Sequence, residues 1–257
     1  MIFDSHAHYD DKSFEEDREE LLTGMQEAGI GRIVNVGASL TSSRQSVALA
    51  HQYNFIYAAV GIHPSDTGEL GEEEYQKLCD MLKDERVVAL GEIGLDYYWN
   101  EPEPKVQKHW FMRQLCTAAE WKKPVIIHSR DAAKDTLDIM KSEADWDNGG
   151  VVHCFSYSVE MAREYLNKGF YLGIGGVLTF QNAKKLKEVA EYAPIEQIVI
   201  ETDCPYLSPV PNRGKRNSSF NLPYVVEKLA DIKKISKEQV EEFTFQNAQK
   251  LYHLDGQ

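Results

Sequence analysis

Short apolar runs rich in Val and Ile recur along the chain, each followed by a longer stretch in which apolar residues return every three or four positions. Runs of this length predict buried strands, and the longer stretches predict amphipathic helices. The strands are expected at residues 1–4, 32–36, 55–60, 87–90, 124–127, 150–152, 170–174 and 197–200. Between them, the pattern over 14–22, stopped by Gly29, and the pattern over 107–121, ahead of Pro124, predict helices. Eight strands alternating with helices require parallel pairing through right-handed crossovers. Their number and spacing predict an α/β fold of the TIM (β/α)8 barrel type, with a doubly wound open sheet as the rival arrangement. Residues 236–254 predict an amphipathic helix pair that closes the barrel as a C-terminal helical extension. No linker, low-complexity segment or internal repeat interrupts the pattern, so one domain is expected over residues 1–257.

Composition narrows the function. The 257 residues carry 41 acidic and 28 basic side chains, a formal charge of -13, which argues against a coat protein needing a broad basic face for phosphates. Any contact with nucleic acid must then be local. No apolar run approaches the roughly 18 to 20 residues of a membrane-spanning helix. The opening residues Met1-Ile2-Phe3-Asp4-Ser5-His6 have neither a basic segment nor an apolar one to direct export. Cys79, Cys116, Cys154 and Cys204 lie far apart without a C-x-x-C pair, which suits a reducing compartment. The expected location is cytoplasmic, and no obligate protein partner is evident.

Barrel active sites lie at the C-terminal ends of the strands. Reading each run to its end gives His6, His8, His63, Glu92, His128, His153 and Asp203, with Asp96 just beyond Glu92. Five of the eight histidines fall at this rim, while His51, His109 and His253 read as ordinary solvated or core residues. His6-Ala7-His8 places two imidazoles on one face of a strand, about 6.6 Å apart along the backbone, where one ion can take both. Alone, such a pair is as readily two histidines of a polar loop. Glu92, His128, His153 and Asp203 add four further donors from separate strands, too many for one closed four-coordinate site and suggestive of two ions.

Several motifs in order carry a family resemblance: Ile2-Phe3-Asp4-Ser5-His6-Ala7-His8, Val60-Gly61-Ile62-His63-Pro64, Gly91-Glu92-Ile93-Gly94-Leu95-Asp96-Tyr97-Tyr98, Pro124-Val125-Ile126-Ile127-His128-Ser129-Arg130-Asp131, His153-Cys154-Phe155-Ser156 and Glu201-Thr202-Asp203-Cys204-Pro205. The chain resembles the TatD family of metal-dependent deoxyribonucleases, among the hydrolase barrels related to the amidohydrolases. The resemblance implies that His6, His8, Glu92 and Asp203 hold one divalent ion while Glu92, His128 and His153 hold a second. It implies hydrolysis of DNA. Two departures bear on substrate contacts: Tyr157 stands where the family usually has Gly, and Ser218-Ser219 follows the basic loop where Glu-Pro is frequent.

Strand parity puts Asp4 and Glu201 on the same face as His8 and Asp203, one layer deeper, as candidates to orient ligands. Buried carboxylates satisfied by backbone donors would occupy the same positions. Cys154 and Cys204 are read as packing residues. A ligand set of imidazole and carboxylate suits Zn, Mn, Ni or Co, whereas the resemblance points to Mg. Asp203 is the candidate general base, with Glu92 and His63 as further catalytic candidates and His63 able to bond a phosphate oxygen or support a ligand. Arg130, Arg213 and Lys215, with Arg216 beside them, are candidate phosphate contacts; a solvated loop is the alternative for residues 213–216. The reading is a two-metal phosphodiesterase acting on DNA, as an exonuclease on single strands or strand ends. An amidohydrolase-like enzyme on a small amide, ester or lactone is the alternative, weakened by Glu92 standing where many such enzymes carry a modified lysine. A non-catalytic binding protein is a third reading.

Overall fold

The computed structural model describes residues 1–99 and 101–255. Its strands are β1 (Ile2–Ala7), β2 (Ile30–Val36), β3 (Ile56–Val60), β4 (Val87–Asp96), β5 (Val125–Arg130), β6 (Gly150–Val152), β7 (Tyr171–Ile174) and β8 (Ile198–Ile200). Helices α1 (Arg18–Gly24), α2 (Leu40–Gln52), α3 (Glu72–Met81), α4 (Pro104–Trp121), α5 (Ala133–Glu143), α6 (Val159–Leu166), α7 (Lys184–Tyr192) and α8 (Leu222–Lys233) follow the strands in alternation, and α9 (Lys237–Leu251) ends the chain. The strands form one sheet in the order β1 to β8, and a parallel bridge between Ala7 and Cys204 joins the first strand to the segment leaving the last. This is the connectivity of the TIM (β/α)8 barrel.

By its contacts the chain divides into two compact units, Met1–Asn35 with His153–Gln257, and Val36–Val152. In the first, β7 pairs with β8 and β1 with β2, all parallel. Helix α9 packs on β1 and β8. The Phe3 ring meets those of Phe245 at 5.6 Å and Tyr252 at 6.0 Å, and the Tyr252 hydroxyl donates to the Ser5 carbonyl at 2.8 Å. In the second, β3, β4, β5 and β6 pair in parallel, with α2 packed on β3 and α4 on β4. Their interior is Ile56, Ala58, Val60, Leu90, Ile126 and Ile127, all fully buried. Each of the Ile, Val and Leu side chains contributes about 1.5–3 kcal/mol by leaving water.

Three expectations are corrected. Residues 236–254 form one helix rather than a pair; Ser236 and Gln239 close a capping box at its start, and its helical neighbour α8 precedes it. The pattern over 14–22 divides into a 3-10 turn at Lys12–Phe14 and helix α1, because Asp11 caps the first turn through the Ser13 N–H and Asp17 opens the second. Strands β1, β4 and β5 run further than their apolar runs. In β4 the apolar run stops at Leu90, ahead of the polar Glu92 and Asp96, yet every residue from Val87 to Asp96 is buried in a single strand. Gly94 permits this: with φ +144°, a Cβ there would stand 1.9 Å from the His128 carbonyl oxygen.

Candidate metal centre

The first unit gathers donors at the ends of β1 and β8. His6 lies inside β1 and His8 just past it, and their Nε2 atoms face each other at 3.0 Å. Asp203 follows β8 by three residues in left-handed backbone, φ 54°, which turns its carboxylate to within 3.4 Å of His8 Nε2 and 3.7 Å of His6 Nε2. Burial pushes the Asp203 carboxyl up, but His8, His6 and His153 outweigh it and hold the group below the ordinary carboxylate range. His153, immediately after β6, stacks its ring on His6 with centroids 4.2 Å apart, and its Nδ1 is 4.0 Å from Glu201 Oε1. Glu201 is buried; Oε1 accepts the Cys154 N–H and, among the described residues, Oε2 has no hydrogen-bond partner. Burial foremost pushes its pKa up to about 8.

The second unit gathers donors at the ends of β3, β4 and β5. Glu92 Oε1 lies 2.8 Å from His128 Nδ1 and 3.7 Å from His63 Nε2. The other nitrogen of His128, Nε2, faces Asp96 Oδ2 at 3.0 Å. A carboxylate on the far side of an imidazole fixes ring orientation and raises its basicity, the support that histidine ligands usually receive. His63 caps the short turn Pro64–Asp66 by accepting the Ser65 N–H at Nδ1, at 3.2 Å, which fixes the ring with Nε2 toward Glu92.

Three donor groups are able to hold an ion: His6 with His8 and Asp203, His6 with His153 and Glu201, and His63 with Glu92 and His128, each with donor atoms within 4.8 Å of one another. Donors bound at about 2.0–2.2 Å around one ion stand roughly 3 to 3.6 Å apart. In the first group the separations of 3.0 and 3.4 Å fall in that range and 3.7 Å lies just beyond it, and a donor set of imidazole and carboxylate alone suits a divalent ion. Glu201 adds a further oxygen to the donor group of His6 and His153.

Of the residues predicted from sequence, His6, His8 and Asp203 come together, His153 stands beside His6, and Glu92 joins His128. His63 belongs to the donor group of Glu92 and His128. Asp4 is a buried carboxylate that accepts the N–H groups of His6 and Thr202 and the hydroxyls of Thr202 and Ser219, bonds that tie together the backbone beside His6 and Asp203. Cys204 is buried and Cys154 half-buried, and neither belongs to a donor group. Cys154 lies in a left-handed turn, φ 45°, so strand alternation does not govern its direction. His51, His109 and His253 are exposed and outside every donor group. Among the cations, Arg130, Arg213 and Lys215 are exposed, whereas Arg216 is engaged by Asp17 at 2.8 Å and lies over the Phe14 ring.

The part of the site that the sequence did not disclose is its support. Gly173 in β7 makes room for Glu201: a Cβ there would stand 2.3 Å from Glu201 Oε2. Glycine inside a strand signals close approach in general, but the partner is named only by the register of β7 on β8.

Residues 3–253 match the family described as TatD related DNase. The metal-dependent hydrolase YabD of Bacillus subtilis is 40% identical over 255 residues, spanning 99% of this chain and 100% of its own length. A protein of Cronobacter sakazakii named 3'-5' ssDNA/RNA exonuclease TatD is 32% identical over 256 residues, covering 98% of this chain and 97% of its own. The crystal structure of YjjV, a TatD homologue from Escherichia coli K12, superposes with a TM-score of 0.92 at 28% identity and 98% coverage of both chains. Two histidine and carboxylate clusters, the barrel that carries them and a family match across nearly the whole length agree: the chain belongs to the TatD-related DNase family of metal-dependent hydrolases.

Proposed function

We propose that this hydrolase cleaves phosphodiester bonds of DNA, removing nucleotides from single strands or strand ends, with two divalent ions per chain. The observation that carries the reading is the pair of donor clusters, one in each compact unit, each with an imidazole and a carboxylate at ion-binding separation. His6, His8 and Asp203 would hold one ion, and Glu92 and His128 the other. The family pattern adds His153 to the second ion and gives Glu92 a part in both. Bound ions would lower the pKa of a water and offset charge on the phosphodiester, the chemistry such a donor set would supply.

The protein groups have separable roles. Asp203 stays ionised at neutral pH, as a ligand and proton acceptor both require. Asp96 orients His128. His63, fixed by the turn it caps, presents Nε2 on the Glu92 side as a donor for a phosphate oxygen. Arg130, Arg213 and Lys215 supply exposed positive charge for phosphates. The exonuclease named among the relatives supports this substrate class.

The test is turnover of single-stranded oligonucleotides, a phosphodiester dye and simple amides after loading the chelated protein with Mg, Mn, Zn, Co or Ni. Oligonucleotide and dye hydrolysis should appear with at least one ion and vanish with chelator. Glu92→Gln should lower it by more than the roughly 10- to 100-fold that loss of an outer-shell partner costs. It should also lower activity more than loss of one histidine ligand, with metal content falling toward one ion. Two retained ions and normal turnover in Glu92→Gln contradict the ligand assignment. Amide cleavage without phosphodiester cleavage, under every ion, favours the amidohydrolase reading instead.

A further inference from the structure

Two large aromatic side chains stand in solvent just past the donor group of the second unit. Tyr98 is 54% exposed and Trp99 65% exposed, on the turn that leaves β4. Their ring centroids are 4.9 Å apart at 87°, and the Arg130 guanidinium lies over the Tyr98 ring, 3.8 Å from its centre. The placement is built. The Tyr98 N–H donates to Asp96 Oδ1 at 2.9 Å, and the other oxygen of that carboxylate faces His128 Nε2 at 3.0 Å. Arg130 is the register partner of Asp96, and its carbonyl accepts the Tyr97 N–H at 2.9 Å. The Tyr97 hydroxyl is in turn tied to Asp135 Oδ2 at 2.8 Å. One carboxylate therefore links a candidate metal ligand to the backbone of the aromatic pair.

Exposed aromatic rings can await an apolar protein surface or a planar ligand. The cation decides between them here. An apolar partner closing over Tyr98 would strip water from Arg130 and give it nothing in return. A nucleotide satisfies both parts, since its base has a π-face for the rings and its phosphate has the charge for the guanidinium. In a chain of net charge -13, a cation laid on an aromatic beside a metal group is local complementarity to an anionic, base-bearing strand. The geometry points to Tyr98 and Trp99 as a stacking platform for an unpaired base of single-stranded nucleic acid, with Arg130 on an adjacent phosphate. The assignment rests on the nucleic-acid reading of the substrate and deepens it: recognition is by the face of a base, so it tolerates sequence but not loss of the base.

The test compares a natural oligonucleotide with one whose terminal nucleotides lack bases, by turnover in the metal-loaded protein and by anisotropy of the labelled strands on chelated protein. The wild type should prefer the base-bearing strand roughly 10-fold or more, mainly through KM and affinity. Trp99→Ala and Tyr98→Ala should bring that ratio toward one, and Trp99→Phe and Tyr98→Phe should restore it. Ratios unchanged by the alanine substitutions overturn the platform while leaving the nuclease reading intact. Base-dependent binding without hydrolysis of any oligonucleotide overturns the nuclease reading and keeps the platform. Absence of both binding and turnover overturns both. A dimer that Trp99→Ala dissolves without changing the ratio assigns the rings to a second copy of the chain and also overturns the platform.

Discussion

His128 has a carboxylate at each ring nitrogen, Glu92 Oε1 at 2.8 Å from Nδ1 and Asp96 Oδ2 at 3.0 Å from Nε2. Burial disfavours the charged ring, but the two carboxylates outweigh it and push its pKa up to about 9 in the metal-free protein. The unfolded value is about 6.5. A pKa raised on folding stabilises the metal-free protein fully below that unfolded value, and the contribution is lost as pH rises through about 9. A metal ion requires the neutral imidazole, so ion and proton compete. Ion uptake by the chelated protein should release a proton from His128 near neutral pH, and affinity should climb with pH until about 9. Calorimetric titration in buffers of different ionisation enthalpy measures that release directly. Asp96→Asn removes one of the two carboxylates and should reduce the release; no proton release at neutral pH in the unaltered protein would sink the assignment. Asp4 shows the contrast. Its oxygens are taken by backbone and hydroxyl donors, and its bonds run to the backbone of His6 and Thr202 rather than to an imidazole.

At the scale of elements, the site depends on strands lying closer together than side chains would allow. Gly173 pairs with Val199 across β7 and β8, and the N–H of Glu201 continues that ladder to the Ile174 carbonyl at 3.2 Å. The missing Cβ is the space that Glu201 fills. Because the clash in Gly173→Ala is with a buried carboxylate, relief requires moving Glu201 or the strand. The substitution should destabilise by about 1–3 kcal/mol. For a chain of this size that corresponds to a fall in Tm of roughly 2–12 °C. Glu201 shares a donor group with His6, which would hold the first ion, so affinity for that ion should fall as well. Thermal melts with and without added ion measure both effects, and an unchanged Tm together with unchanged ion affinity would show that the strand absorbs the methyl group freely.

For the whole molecule, charge sets the terms of substrate binding. A chain of net charge -13 repels a polyanion at long range, so local cations must supply the attraction. Arg216 is held by Asp17, whereas Arg213 and Lys215 are exposed in the loop after β8, with the Arg213 guanidinium over the Phe180 ring at 4.3 Å. Replacing both Arg213 and Lys215 with alanine should weaken oligonucleotide turnover and flatten its salt dependence by about one in log-log slope for each phosphate left without its cation. Hydrolysis of a small phosphodiester dye should fall much less. Equal losses on both substrates would assign the loop to support of the metal cluster, and no loss on either would make it a solvated surface loop.

The alternation of apolar runs and amphipathic stretches was enough to give the eight strands, their parallel order and the barrel, because burial of Val and Ile is a local property of each segment. It also placed the candidate donors, since His6, His8, Glu92, His128, His153 and Asp203 all lie at or just past the ends of those runs. What ended each run hid the rest. Glu92 looks like the close of a strand in sequence, yet β4 runs on, fully buried, to Asp96, because neighbouring strands supply the hydrogen bonds and the polar company that a local pattern does not contain. The same holds for the supporting groups. Thr202 and Ser219 reach Asp4 across 198 and 215 residues of chain, and Gly173 matters only because β8 lies beside it. Sequence thus determined which residue types arrive at which strand end. Register and packing alone decided which atoms face each other, since distances of about 3 Å between residues far apart in the chain are set by the fold and by nothing local to either partner.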